Sequence, residues 1–148
     1  MGKMSTIPAE TLLHCLNTAV QEHADKIAEI VEEKGVYIRS VTNDRFEVIT
    51  PRFVLASFGL STLPGCCGAL VSHWASINES FRRKGLGVIM LMVRMSAARR
   101  LKYGQMLATV LATNLPEQTL LLQNGWLRVG EFRNPRTNSL IQTFLVNL

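Results

Sequence analysis

Cysteine is scarce in this chain: Cys15, Cys66 and Cys67 are all it has. An odd count with no C-x-x-C spacing excludes a disulfide framework or a structural zinc site, and it suits a reducing, cytoplasmic location. His14 and His23 stand nine residues apart, a poor spacing for a metal pair, so no metal is expected. Long apolar runs are missing too. The longest, Val88 to Val93, falls far short of a bilayer span, and Met1 to Pro8 lacks the apolar segment of a secretory leader, so no membrane partner is expected. Met1-Gly2 with Thr6 formally fits a myristoylation pattern, but so short a match arises often by chance.

Acidic residues are nearly absent from the second half. Residues 80–148 carry two Asp/Glu against ten Lys/Arg, whereas residues 1–79 carry nine against six; the halves are +8 and −3 within a total of +5. A cationic half suits an anionic small molecule and would equally suit nucleic acid; a solvated basic face is the plainer explanation. Repeats and low-complexity linkers are absent as well. With 148 residues, 47% hydrophobic and 18% charged, the chain reads as one globular domain, 1–148.

What is present is an alternation of helical and strand periodicities. Leu12, Leu16, Ala19, Val20, Ala24, Ile27 and Val31 recur at three- and four-residue spacing after Pro8, so 8–34 reads as one long helix or two with a bend near Gln21 to Asp25. Val36–Val41 and Phe46–Thr50 read as strands around an Asn43-Asp44 turn, with Arg52–Phe58 extending the meander. Leu63-Pro64-Gly65 is a turn before a strand at Ala69–Asn78. Then come a helix at Val88–Lys102, apolar on more than one side, a buried strand at Met106–Thr113 and a short helix at Pro116–Asn124 stopped by Gly125. Two closing strands, Trp126–Arg133 and Leu140–Val146, flank a hairpin connection. The class is mixed α/β with a mostly antiparallel sheet.

Between the strand at 69–78 and the helix at 88–102 lies Phe81-Arg82-Arg83-Lys84-Gly85-Leu86-Gly87. Two glycines spaced by one residue let backbone N–H groups approach a ligand closely. Three cations precede them and a helix N-terminus follows, the physics of a pyrophosphate cradle. The pattern is neither G-x-G-x-x-G nor a P-loop.

Arg82-x-x-Gly85-x-Gly87 resembles the R/Q-x-x-G-x-G/A signature of the GNAT acetyltransferases, in which this loop grips the pyrophosphate of acetyl-coenzyme A. Asn114, ten residues before Asn124-Gly125-Trp126, is similar to the family Asn that leaves the fifth strand ahead of a helix ending in Gly-Phe. The resemblance covers roughly residues 66 to 148. It implies a single GNAT-like domain, a central twisted sheet with helices on both faces, its first strand missing or replaced because the first helix starts almost at once. It implies acetyl-coenzyme A as cosubstrate, an amine or protein as acceptor, and Ile77, Asn78, Arg82, Arg83, Lys84, Gly85, Leu86, Gly87, Val88 and Asn114 as cofactor contacts. Backbone groups near Ser76 to Asn78 would polarise the thioester. Asn114 also reads as a helix N-cap ahead of Pro116, and the two roles can coexist.

The proton-handling groups depart from the family. The Glu expected before the cradle is Val71 here, and no carboxylate occurs from Cys67 to Asn78. His73, nine residues before Arg82, is the only titratable group on that strand and stands where aralkylamine-type members place one of two histidines. It is the candidate base, on a face shared with Val71, Ala75 and Ile77, with Glu79 and Glu47 as weaker alternatives. The usual Tyr acid is replaced by Leu121; Tyr37 and Tyr103 are elsewhere. Cys66 and Cys67 read as packed thiols rather than nucleophiles. Two other readings stand beside the enzyme: a GNAT-like scaffold or phage-type assembly protein, virion-associated and catalytically degenerate, and an RNA-directed toxin supported only by the basic half. A homodimer or larger assembly stays open.

Overall fold

The computed structural model describes residues 9–63 and 65–148. Pro8, Pro64, the Met1–Thr6 pattern and the thiols of Cys66 and Cys67 lie outside what is described. The helical start is two helices, α1 (Ala9–Gln21) and α2 (Ala24–Val31). They part at Glu22-His23, whose N–H groups reach back to Ala19 and Val20 in a tightened last turn. Seven strands follow: β1 (Tyr37–Ser40), β2 (Arg45–Ile49), β3 (Val54–Leu63), β4 (Cys66–Ile77), β5 (Gln105–Leu111), β6 (Leu127–Arg133) and β7 (Leu140–Asn147). Helix α3 (Leu86–Arg100) joins β4 to β5, and α4 (Leu115–Gln123) joins β5 to β6.

The strands form one sheet in the order β1-β2-β3-β4-β5-β7-β6, antiparallel except between β4 and β5. A parallel pair needs a crossover, and α3 supplies it. Among the described residues no strand precedes α1, so the edge beyond β1 is open to pairing. Helix α1 closes it with side chains. Asn17 donates through Nδ2 to the Ile38 carbonyl (2.9 Å) and accepts the Ile38 N–H on Oδ1 (2.8 Å), while Gln21 Nε2 donates to the Val36 carbonyl (2.8 Å). Two amide side chains thus do for the edge strand what a further strand would do.

Helices flank the sheet, as expected, and the main core is gathered between them and one set of strand side chains. Phe46, Val48, Ala56, Phe58, Leu60 and Leu70 project from one face into a single core with α1, α2, α3 and α4, in which Trp126 and Phe144 are also buried. Helix α1 packs along α3, and buried residues run round most of α3, from Leu86 through Leu91 and Val93 to Ala98. This is why its sequence is apolar on more than one side. The opposite face carries Glu47, Ser57, Ser61, Val71 and His73, then Leu107 and Leu145, all partly exposed.

Candidate active-site cleft

Strands β4 and β5 pair only at Ala69–Ser72 with Gln105–Ala108. Beyond that point they diverge, leaving the β5 side of residues 73–77 without a strand partner. On its other side β4 bulges: Gly59 faces His73 and Ser57 faces Ser76, so one extra residue stands opposite Phe58. Trp74 takes up the difference at φ 53, in the left-handed region, and the residue is 62% exposed. Strain of this kind in a bulky residue needs a surrounding structure that fixes it.

The gap opens into a cavity of about 760 Å³. One wall is the bulged strand, with Ala75, Ser76 and Ile77 beside Ala56 to Phe58 of β3. The mouth is Arg82, Arg83, Gly85, Gly87 and Val88, and the far wall is Leu111, Asn114 and the first turns of α4. Gly85 sits at φ +88 as the residue before α3, and no side chain caps that helix. A Cβ at Gly85 would meet no atom within 4 Å, so the space above it is free. The first turn of α3 holds no acidic residue, yet three cations stand beside its positive end. Orphan N–H groups, the helix dipole and the cations all favour an anion there. The donor set therefore fits a pyrophosphate.

The expected contacts divide. Ile77, Arg82, Arg83, Gly85, Gly87, Val88 and Asn114 line the cleft. Arg82 also donates through Nε to the Ile77 carbonyl (2.9 Å), tying the loop to the end of β4. Asn114 lines the cleft and accepts the Glu117 N–H on Oδ1 (3.3 Å) as the cap of α4. Three residues are not in the lining. Leu86 is buried in the core. Lys84 lies over the Phe81 ring, 5.9 Å from its centroid. Asn78 is consumed structurally: Nδ2 donates to Val54 O (2.7 Å), Oδ1 accepts from Ser80 N (3.0 Å), and its own N–H donates to Leu55 O (2.8 Å).

The largest correction is His73. Its expected face, shared with Val71, Ala75 and Ile77, does not survive the bulge, which puts Ile77 across from Ala56 on the core side and leaves His73 with Ser76 on the open side. The imidazole leans over Gly59 toward β3, away from the gap, with Nε2 3.1 Å from Ser61 Oγ and the Trp74 ring edge-on at 4.3 Å. It lines no part of the cleft. Burial lowers its pKa below the ordinary 6.5, opposed by the Asp44 charge and reinforced by Arg45.

Two residues that sequence reasoning passed over stand in the cleft instead. Arg94 on α3 is 3% exposed. Its Nε donates to the Met90 carbonyl (3.2 Å), Nη1 donates to Ser72 Oγ (2.8 Å), and the guanidinium lies 5.5 Å from the Phe58 ring centre. Glu117, on the first turn of α4, is the only carboxylate in the lining among the described residues. Burial raises its pKa above the ordinary 4.5, and the Arg94 charge partly offsets this. Its carboxylate accepts no hydrogen bond and makes no ion pair within 4 Å among the described residues. A lone cation inside an apolar helix was the available signal for Arg94. Glu117 reads as an ordinary first-turn acid and gave none.

A sheet that splays at its one parallel pair, with a glycine-bounded cationic loop at the mouth of the splay, gives this chain the GNAT acetyltransferase fold. An IAA acetyltransferase from Bacillus cereus superposes with a TM-score of 0.63 at 12% identity, over 97% of each chain. A GNAT family acetyltransferase from Elizabethkingia anophelis with acetyl-CoA bound gives 0.61 at 10% identity, over 84% of this chain and 82% of that one. The ribosomal-protein-S18-alanine N-acetyltransferase of Escherichia coli gives 0.58 at 12% identity, over 70% and 67%. No protein-family model and no curated protein matches the sequence.

Proposed function

We propose that the cleft binds acetyl-coenzyme A and passes its acetyl group to an amine. What carries this reading is one conjunction: an uncapped, cation-flanked helix N-terminus opens onto a gap between strands that is lined by a half-buried carboxylate. The pyrophosphate takes the backbone N–H groups around Gly85 and Gly87, with Arg82 and Arg83 adding charge. The pantetheine lies between Ala75–Ile77 and Leu111–Asn114, and the unpaired edge of β4 supplies N–H groups to the thioester carbonyl.

Glu117 then takes the role first given to His73. The amine attacks the thioester carbonyl, Glu117 accepts the proton it sheds, and the carbon–sulfur bond breaks as the tetrahedral intermediate collapses. Leu121 is 1% exposed and cannot protonate the leaving thiolate, so that proton comes from water. Burial suits Glu117 to the task, because a base works best with a pKa close to the working pH. The acceptor is a small amine or a protein N-terminus or lysine, in a cytoplasmic setting. The buried Leu121 also favours a second reading, a catalytically degenerate scaffold that keeps the cradle.

The two separate in one assay. Thiol release from acetyl-coenzyme A is followed with spermidine, tyramine and a lysine-containing peptide as acceptors. The enzyme reading expects turnover by wild type and a loss of about 10²–10⁴-fold in Glu117→Gln with cofactor affinity retained. Cofactor binding without turnover of any acceptor points to the scaffold.

A further inference from the structure

The closed end of the cleft holds a charge that no carboxylate among the described residues neutralises at contact distance. Ser72 is the last residue of β4 paired to β5, so the side chain bonded to its hydroxyl marks the vertex of the splay. That side chain is Arg94, and it lines the cavity. Guanidinium carries five N–H donors. Nε and Nη1 each make one hydrogen bond, and Nη2 makes none among the described residues. No carboxylate lies within 4 Å of it among those residues. Burying an ion at this depth is costly unless a partner completes it. A packing role alone would be served better by the Leu or Met that the rest of the helix uses. Glu117 opposes it from α4 without reaching it, and Arg82 and Arg83 stand at the mouth, committed to the phosphates.

We propose that the acyl group delivered to this cleft ends in a carboxylate, which Arg94 binds at the vertex. The donor is then a coenzyme A thioester of a short dicarboxylic acid, of the succinyl type, with acetyl-coenzyme A a minimal analogue. This rests on the coenzyme A reading above. The thioester sits in the gap between β4 and β5, and a chain of two or three carbons beyond the carbonyl runs toward Ser72. A planar carboxylate there takes the free N–H groups of one guanidinium edge. The transfer chemistry is unchanged: the distal carboxylate is held, and the thioester carbon still goes to the amine.

Calorimetry with three thioesters tests the idea on the intact chain and needs no acceptor. Butyryl-coenzyme A matches the length of the succinyl chain without its charge. Wild type should bind succinyl-coenzyme A at least about tenfold more tightly than either the butyryl or the acetyl compound. Arg94→Met should erase that margin, bringing the succinyl and butyryl compounds to equal affinity, since the charge that tells them apart is gone. Arg94→Lys, which keeps the charge if the methionine variant folds poorly, should retain part of the margin. Equal binding of the succinyl and butyryl compounds by wild type overturns the proposal, as does a margin that persists in Arg94→Met. If acetyl-coenzyme A binds and the succinyl compound is no tighter, only this inference fails. If none of the three binds, the coenzyme A reading falls with it.

Discussion

The mouth and the closed end of the cleft both present arginine, and they present it in opposite ways. At the mouth, Arg82 and Arg83 are exposed on a loop beside an uncapped helix start. At the closed end, Arg94 is enclosed by Phe58, Ser72 and the preceding turn of its own helix. Exposed cations attract an anion from solution and tolerate its absence, because water solvates them meanwhile. A buried cation has no such reserve, so its surroundings must be matched to one partner. On the function proposed above, the mouth serves capture and the closed end discrimination and chemistry, with Glu117 a carboxylate of the lining between them.

The sharpest way to break this division is at the mouth. In the structure a Cβ at Gly87 would meet only Leu120, at 3.7 Å, which is ordinary contact. Gly87→Val should therefore fold normally yet abolish cofactor binding, because its methyls occupy the space the phosphate needs. Normal binding by this variant, measured by thermal shift, would mean that capture happens elsewhere.

The closed end gives the next largest effect, on turnover rather than on binding. Activity should rise with pH along a limb set by Glu117 ionisation, and burial places that limb above the ordinary 4.5. Arg94→Met removes the nearby charge that favours the carboxylate, so the limb should move to still higher pH. A pH–rate profile that ignores both Glu117→Gln and Arg94→Met would remove Glu117 from the chemistry.

Capture should also weaken piecemeal. Charge-assisted contacts to phosphate contribute roughly 1.5–3 kcal/mol each, so Arg82→Ala with Lys84→Ala should loosen the cofactor by at least about tenfold. Because Lys84 stands off the lining while Arg82 also braces the Ile77 carbonyl, Arg82→Ala alone should account for most of the loss. Equal effects of the two single variants would contradict that assignment.

These two ends were not equally legible in the sequence. The mouth depends on local requirements, positive φ at Gly85, close approach at Gly87 and adjacent cations, and each of these is written in consecutive residues. The helix and strand periodicities gave the order of elements for the same reason. The closed end depends on which way side chains point after a bulge. Alternation along residues 69–78 put His73 and Ile77 on one face, and nothing in the residue types announced the left-handed Trp74 that separates them. Glu117 was concealed by its surroundings: Asn114 three residues earlier makes it look like an acid serving a helix start. Its carboxylate does not return the capping bond, and faces the cleft instead. That no strand precedes α1 among the described residues was legible in the sequence, but not what lies on the β1 edge there, the amides of Asn17 and Gln21.

The smallest expected effect belongs to the open face. His73 is held with a lowered pKa, mainly by burial, so the folded state disfavours its proton. A depressed histidine pKa adds stability that is fully present above the ordinary 6.5 and is lost as the pH falls through the folded value. Thermal melts should therefore show a modest loss of stability on acidification below about 6.5, and His73→Gln should flatten it. Turnover per folded molecule should be little changed in the same variant, since the imidazole leans toward β3. A large drop in turnover would return His73 to the chemistry.

Capture at the mouth comes before all of this, and isothermal calorimetry of the wild-type chain with acetyl-coenzyme A measures it directly. The account predicts saturable one-site binding that weakens as salt is raised, because the grip is largely charge on phosphate, and that disappears in Gly87→Val. No detectable heat or thermal shift at millimolar cofactor would contradict it, and would leave the cleft as a remnant of the fold rather than a working site.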